Sequence, residues 1–455
     1  MRQPFRIAGA SGFWGDRNDA LLDQVRGGPI DVVMLDYLAE VTMSILRMKM
    51  MRNPQQGYAG DFLKALDPAL HDIVERRVKV VTNAGGMNPR ACAQAVVELA
   101  RKKGIAGLRV GLVRGDDILD QLDALAARGF ALENLDTGGS FSTIRERVLS
   151  ANAYLGSEPI AEALRAGAQI VVTGRCTDSA LALGPLLARY GWAPHDWNRR
   201  AAGIVAGHLL ECGGQGSGGN FAGGWEQVPD LANLGYPIAE VEESGEFVVT
   251  KHPGLGGLVT PAVLKEQLLY EIGDPTAYVT PDVVADFTTI RLEDLGADRV
   301  RVFGIRGRPA PEQLKLSVSY QDGWRNAVAL TFVWPHAVER ARASERLLRA
   351  RCEKRGLEID EIHVDLIGVS GAHGPLAPVP REEPNEVLFR MAIRTRDRES
   401  AKRFGEEIAP LVLSGVPGAA AGLLSGRPEE SLIVNYWPTL VPRECVRASV
   451  EVLES

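Results

Sequence analysis

Five short, continuous apolar runs, each followed by a helix-like segment, set the strongest limit on how this chain folds. The runs are Phe5–Ala10, Ile30–Leu35, Val78–Thr82, Leu108–Val113 and Ala168–Thr173. Helical patterns fall between and after them, at Asn18–Val25, Pro89–Lys102, Asp116–Ala127, Glu158–Ala166 and Asp178–Tyr190. Strands apolar at nearly every position are buried on both faces, and parallel strands need helical crossovers. The expectation is an α/β fold whose N-terminal ligand-binding region, residues 1–225, is a mostly parallel sheet with helices on both faces. After a glycine-rich stretch, alternation in Glu246–Thr250 and Arg299–Phe303 predicts a β-rich middle region over 226–356. That region closes with a charged helix at Ala337–Arg355, stopped by Gly356. A smaller C-terminal α+β unit over 357–455 is expected from strands at Ile362–Val369 and Val387–Thr395, a helix at Arg398–Ala409 and a last strand at Ser431–Tyr436.

Charge and cysteine usage narrow the partners. The formal net charge is −7, and the basic residues form no stripe, so a nucleic acid or an anionic membrane surface is not expected. The five cysteines are an odd number with no C-x-x-C pair, which fits a reducing compartment. The first residues hold no apolar stretch of signal-peptide length, and no segment is apolar for the length of a bilayer. A cytoplasmic protein that takes a small molecule and assembles as a homo-oligomer is the expectation.

In open parallel sheets ligands bind beyond the carboxyl ends of the strands. The first strand runs into Gly9-x-x-Gly12-x-x-Gly15, the second into Asp36, and the third into Asn83-Ala84-Gly85-Gly86 before Asn88-Pro89. The fourth runs into Asp116-Asp117, and the fifth into Gly174-Arg175-Cys176-Thr177-Asp178. Ser11, Asn83, Gly85, Gly86 and Arg175 are therefore candidate substrate-binding residues, with the helix at Pro89 able to face an anion. The first glycine turn followed by Asp36 also reads as a dinucleotide cradle, which keeps an NAD(P)-dependent oxidoreductase as an alternative. Against it, the helix begins after the glycines, and no Tyr-x-x-x-Lys pair is present.

Two groups carry candidate proton chemistry. Cys176 beside Arg175 at a strand-to-helix junction is either a nucleophile with a favoured thiolate or a small buried side chain. Asp178 is either a base or the cap of the next helix. In Gly207-His208-Leu209-Leu210-Glu211-Cys212, a helix over Ala201–Cys212 would place His208, Glu211 and Cys212 on one face at its C-terminus, where a cationic histidine is favoured. Gly213, Gly214, Gln215 and Asn220 follow as a loop able to wrap a ligand closely. Three local ligands at this spacing are not a standard zinc motif, so no metal is expected, and the cofactor stays open.

Several of these blocks, taken in order, resemble the acyclic terpene utilisation (AtuA) family. They are Ile7-Ala8-Gly9-Ala10-Ser11-Gly12-Phe13-Trp14-Gly15-Asp16, Thr82-Asn83-Ala84-Gly85-Gly86, Ala153-Tyr154-Leu155-Gly156, Thr173-Gly174-Arg175-Cys176-Thr177-Asp178 and Gly207-His208-Leu209-Leu210-Glu211-Cys212-Gly213-Gly214-Gln215. The resemblance spans essentially the whole chain. It implies a catabolic role in the degradation of acyclic terpenes or branched acids, on a carboxylate or acyl-CoA metabolite. Some relatives carry a further small C-terminal domain, so a separate small partner subunit is one expectation, and a non-catalytic subunit of a catabolic complex is a second alternative. The residues themselves favour a lyase or hydro-lyase, with His208 and Glu211 exchanging protons and Cys176 and Asp178 as further catalytic candidates.

Overall fold

The computed structural model describes residues 3–378, 382–420 and 428–455. They form two compact units, one running to Ser319 and resuming over Tyr436–Ser455, the other Tyr320–Asn435.

The larger unit is built on ten strands. Its first half supplies β1 (Phe5–Gly9), β2 (Val32–Leu35), β3 (Lys79–Thr82), β4 (Arg109–Arg114), β5 (Val148–Ala153), which lies outside the main sheet, and β6 (Ile170–Thr173). The helices between them are α1 (Ala20–Gly27), α2 (Glu40–Arg52), α3 (Asp61–Glu75), α4 (Pro89–Lys102), α5 (Leu122–Ala127) and α6 (Glu158–Arg165), with α7 (Ala180–Tyr190) and α8 (Trp197–Glu211) after β6. All five expected strands form, each within two residues of its predicted ends. They pair in parallel in the order β1-β2-β3-β6-β4, with Ile7 opposite Val32 and Val80 opposite Ile170. Alternate strand residues feed two cores, as the pleat requires. Ile7, Val32, Val81 and Val171 pack under α6, α7 and α8, whereas Ala8, Val33, Val80 and Val172 pack under α1, α3 and α4.

The sheet is mixed rather than mostly parallel, which corrects the sequence expectation. Strands β7 (Ile238–Val241) and β8 (Phe247–Thr250) follow α8, then helix α9 (Pro261–Leu269). A small ribbon of β9 (Tyr278–Val279), β10 (Val284–Asp286) and β13 (Arg306–Arg308) brackets β11 (Arg291–Asp294) and β12 (Val300–Phe303). Strands β7, β8, β12 and β11 extend the sheet beyond β1, every pairing antiparallel. Antiparallel neighbours can be joined by tight turns. Between β7 and β8 the Glu242 and Glu246 backbones close a hairpin at 2.9 Å, with Gly245 at φ 93. On the other edge β19 (Ser449–Glu454) lies antiparallel to β4, with Ser449 opposite Arg114.

Helices α2 and α3 have no counterpart in the sequence reading. In α2 the apolar side chains circle the helix instead of marking a stripe, and in α3 Pro68 interrupts an otherwise regular stripe of Phe62, Leu66, Ala69 and Ile73. The expected start of α4 is present, with the Asn88 side chain accepting from Ala91 N at 3.2 Å ahead of Pro89.

The long strand β14 (Gln313–Val333) leaves the larger unit at Tyr320, and β18 (Ser431–Pro442) returns to it at Tyr436. The smaller unit carries α10 (Ala337–Lys354), β15 (Glu361–Ile367), β16 (Glu386–Thr395), α11 (Arg398–Glu406), α12 (Leu411–Ser414) and β17 (Ala419–Ala420). Its sheet runs β15-β16-β14-β17. Val328, Leu330, Phe332, Phe389 and Met391 of that sheet are buried with Ala341 and Leu348 of α10 and Phe404 of α11. Among the described residues no helix is long and apolar enough to cross a membrane.

Candidate active site

The carboxyl ends of β1, β2 and β6 and the C-terminus of α8 open onto one cavity of about 1230 Å³. The opposite wall comes from Tyr278, Val279, Glu312 and Lys315, so the first strand ends and the later β-rich segments build it together.

The floor is a group of acidic side chains. Asp36, one residue beyond β2, is buried, and its Oδ1 accepts from Asn83 Nδ2 at 2.6 Å and from Leu38 N at 3.0 Å. Burial raises its carboxyl to about 7, with the Glu211 charge adding to the effect against Arg175. Asp178 follows β6 and lines the same cavity. Burial, and then the nearby charges of Asp36 and Glu211, hold its carboxyl well above the usual carboxylate range, although Arg175 opposes them. Asp178 makes no capping bond to α7; its Oδ1 is 3.0 Å from Arg175 Nη1.

Arg175 organises the group around it. Its Nη1 donates to the Leu38 carbonyl at 2.7 Å as well as to Asp178, and its guanidinium lies 4.3 Å from the centre of the Tyr154 ring. Tyr154 donates in turn to Glu40, at the start of α2, and Lys315 Nζ is 3.3 Å from the same carboxylate. Burial alone would raise Glu40, but Arg175 and the Tyr154 hydroxyl draw it down to about 2.

His208 and Glu211 do meet on one face of α8, with His208 Nδ1 2.8 Å from Glu211 Oε1. The other ring nitrogen is also committed, donating to the Gln267 carbonyl of α9 at 2.8 Å. Gln267 returns a bond from its Nε2 to the His208 carbonyl, accepts from Gln215 Nε2 on its Oε1, and Gln215 Oε1 accepts from Asn220 Nδ2. An imidazole held at both nitrogens, and packed against Tyr278 and Phe287 at 5.7 and 5.4 Å, has no edge left for a substrate. Burial favours the neutral ring, but Glu211 and the Gln267 carbonyl outweigh it and hold the proton on the imidazole more firmly than on a free histidine. Glu211 keeps its second oxygen, Oε2, buried and without a partner, as are Arg175 Nε and Thr177 Oγ1 beside it on the cavity wall. Of the pair, Glu211 alone keeps a side-chain polar atom without a partner.

Other candidates take structural places. Asn83 is fully buried between Asp36 and the Tyr37 amide, and Ser11 donates to the Asp36 carbonyl at 2.9 Å, so both hold the β2 end rather than line the cavity. Gly85 and Gly86 shape the third turn, where a side chain on Gly85 would fall 2.4 Å from the Thr173 carbonyl. Gly9 and Gly12 admit the end of α8, since added side chains there would meet the Leu210 oxygen and the Cys212 backbone, each at 2.7 Å. That contact gives Gly9 and Gly12 a packing reason of their own. Gly213 turns the chain at φ 55, and Gly214, Gln215 and Asn220 reach the cavity. Cys176 is buried, and burial pushes its thiol far up, which suits the small buried side chain of its two readings.

Sequence reasoning missed Glu40, Tyr154, Lys315 and Tyr278 as site residues. Tyr154 sits inside one of the motif blocks, but Glu40 opens an unpredicted helix and Lys315 and Tyr278 lie in segments without any motif. Among the described residues no group of three or more His, Cys, Asp or Glu is arranged to hold a metal ion.

A mixed α/β sheet with a carboxyl-lined cavity at its strand ends defines the class of this protein. The chain belongs to the acyclic terpene utilisation (AtuA) family, whose model matches residues 5–452, and this membership points to a role in acyclic terpene utilisation. No curated protein and no solved structure matches it.

Proposed function

We propose that the protein is a hydro-lyase of acyclic terpene utilisation, adding water to or removing it from a carbon–carbon double bond of an acyclic isoprenoid substrate. The observation that carries this reading is the buried, unpartnered Oε2 of Glu211 on the same cavity wall as Asp178. Asp178, held protonated by its surroundings, gives its proton to the substrate hydroxyl as the carbon–oxygen bond breaks and water leaves. Glu211 takes a proton from the neighbouring carbon, and the electron pair of that C–H bond becomes the double bond. Exchange with solvent then returns a proton to Asp178 and removes one from Glu211. Two carboxyl groups with different environments can divide acid and base roles in this way. Arg175 fixes Asp178 and stacks on the Tyr154 ring.

The test is incubation with a panel of acyclic isoprenoid alcohols and their thioesters in H₂¹⁸O, followed by mass spectrometry. The expected result is label entering the hydroxyl position, abolished in Asp178→Asn and Glu211→Gln. Absence of label across the panel, with the protein folded, overturns the reading.

A further inference from the structure

The cavity continues outward into an apolar rim. Phe13, Leu135, Tyr270, Val279 and Leu440 line it and are 59%, 52%, 43%, 60% and 36% exposed. Large apolar side chains left in solvent singly are ordinary, but five around the mouth of one cavity form a surface that a ligand can cover. The volume of about 1230 Å³ exceeds the roughly 300–1,000 Å³ that suits a drug-sized molecule, leaving room for a long chain in addition to the reacting group.

Charge selects the kind of molecule. Seven carboxyl-bearing residues line the cavity, against three basic groups, Arg175, Lys315 and His208. All three are engaged, Arg175 with Asp178, Lys315 with Glu40 and His208 with Glu211. Glu271 and Glu312 are among the seven, so a phosphate group meets like charge there rather than a partner.

We infer that the ligand is a long, uncharged acyclic chain whose hydrocarbon tail lies on the Phe13–Leu135–Val279–Leu440 rim, and that its coenzyme A ester and free acid are excluded. This rests on the reading that the carboxyl-lined cavity is the reacting site. It narrows the substrate to an alcohol or another neutral form of the chain. Each methylene drawn out of water onto the rim strengthens binding about fourfold, so chain length is read by affinity.

The experiment is calorimetric titration of the whole protein with saturated 1-octanol, 1-decanol and 1-dodecanol, and with decanoate and decanoyl-coenzyme A. These alcohols have no double bond, so binding is read without turnover. Affinity is expected to rise about sixteenfold with each two-carbon step, and decanol to bind at least tenfold tighter than decanoate or decanoyl-coenzyme A. Phe13→Asp and Val279→Asp, both at exposed positions, should weaken dodecanol at least tenfold while changing octanol less than threefold. Equal affinity along the series, or tighter binding of the coenzyme A ester, overturns the inference. Chain binding without turnover sinks the hydro-lyase reading alone, and turnover without chain preference sinks the rim alone.

Discussion

His208 Nδ1 stands 2.8 Å from Glu211 Oε1, one turn apart at the end of α8, and the pairing leaves one glutamate oxygen free while leaving no imidazole nitrogen free. The proposed reaction therefore gives the histidine a positioning role and the proton transfer to its neighbour. Removing a partner from a buried, hydrogen-bonded pair costs about 3 kcal/mol or more. His208→Ala should therefore unfold several degrees below the parent protein in a thermal melt. An unchanged Tm, with only turnover lost, would return the proton-transfer role to His208.

Glu211→Gln keeps an oxygen to accept from His208 and keeps the side-chain volume. Its Tm should stay within about 2 °C of the parent. Its kcat should fall by roughly 10²–10⁴-fold, the usual worth of a general base. A melt combined with a single-turnover assay checks both, and wild-type kcat would remove Glu211 from the reaction.

Asp36 gives the protein a pH-dependent stability of definite sign. Burial raises its carboxyl from 3.8 to about 7 in the folded state. Its contribution is fully present below the unfolded value and is lost as pH rises through the folded one. Asp36→Asn, which can still accept from Asn83, should be more stable than the parent at pH 8, with the gap closing by pH 4. Melts across that range would show it, and a gap that widens toward acid contradicts the assignment.

Arg175 opposes the upward shift of Asp178. Replacing it by Gln removes that opposition, so the Asp178 carboxyl should hold its proton to still higher pH. The alkaline limb of the kcat/KM profile should move to higher pH, with a lower maximum because Asp178 loses its 3.0 Å anchor. An acid-ward shift of that limb assigns it to another group.

Much of this architecture is legible in residues 5–190. Uninterrupted apolar runs such as Val80–Thr82 and Ile170–Thr173 can only be strands covered on both sides, and Asn88-Pro89 marks a helix start without help from the fold. Strand direction is less legible, because the residues of β7 are buried at every position like those of β2, although β2 runs parallel to β1 and β7 antiparallel to it. In the site, the α8 spacing announces the His208–Glu211 pair, but nothing local reveals that Gln267 takes the second nitrogen. Asn83 and Asp36 illustrate the same limit. Polar residues at a strand end can serve a ligand or one another, and here the amide serves the acid.

The pairing of β19 with β4 gives the N-terminal sheet a long wait during synthesis. Strand β4 carries Val110 and Leu112, both fully buried in the finished protein, yet its outer backbone has no partner until Ser449–Glu454 emerges. For most of translation the chain presents an unsatisfied, apolar sheet edge, the kind of surface that neighbouring chains pair with. Ending the chain at Arg447 would make that condition permanent, so the last strand acts as a guard against self-association as well as a part of the fold.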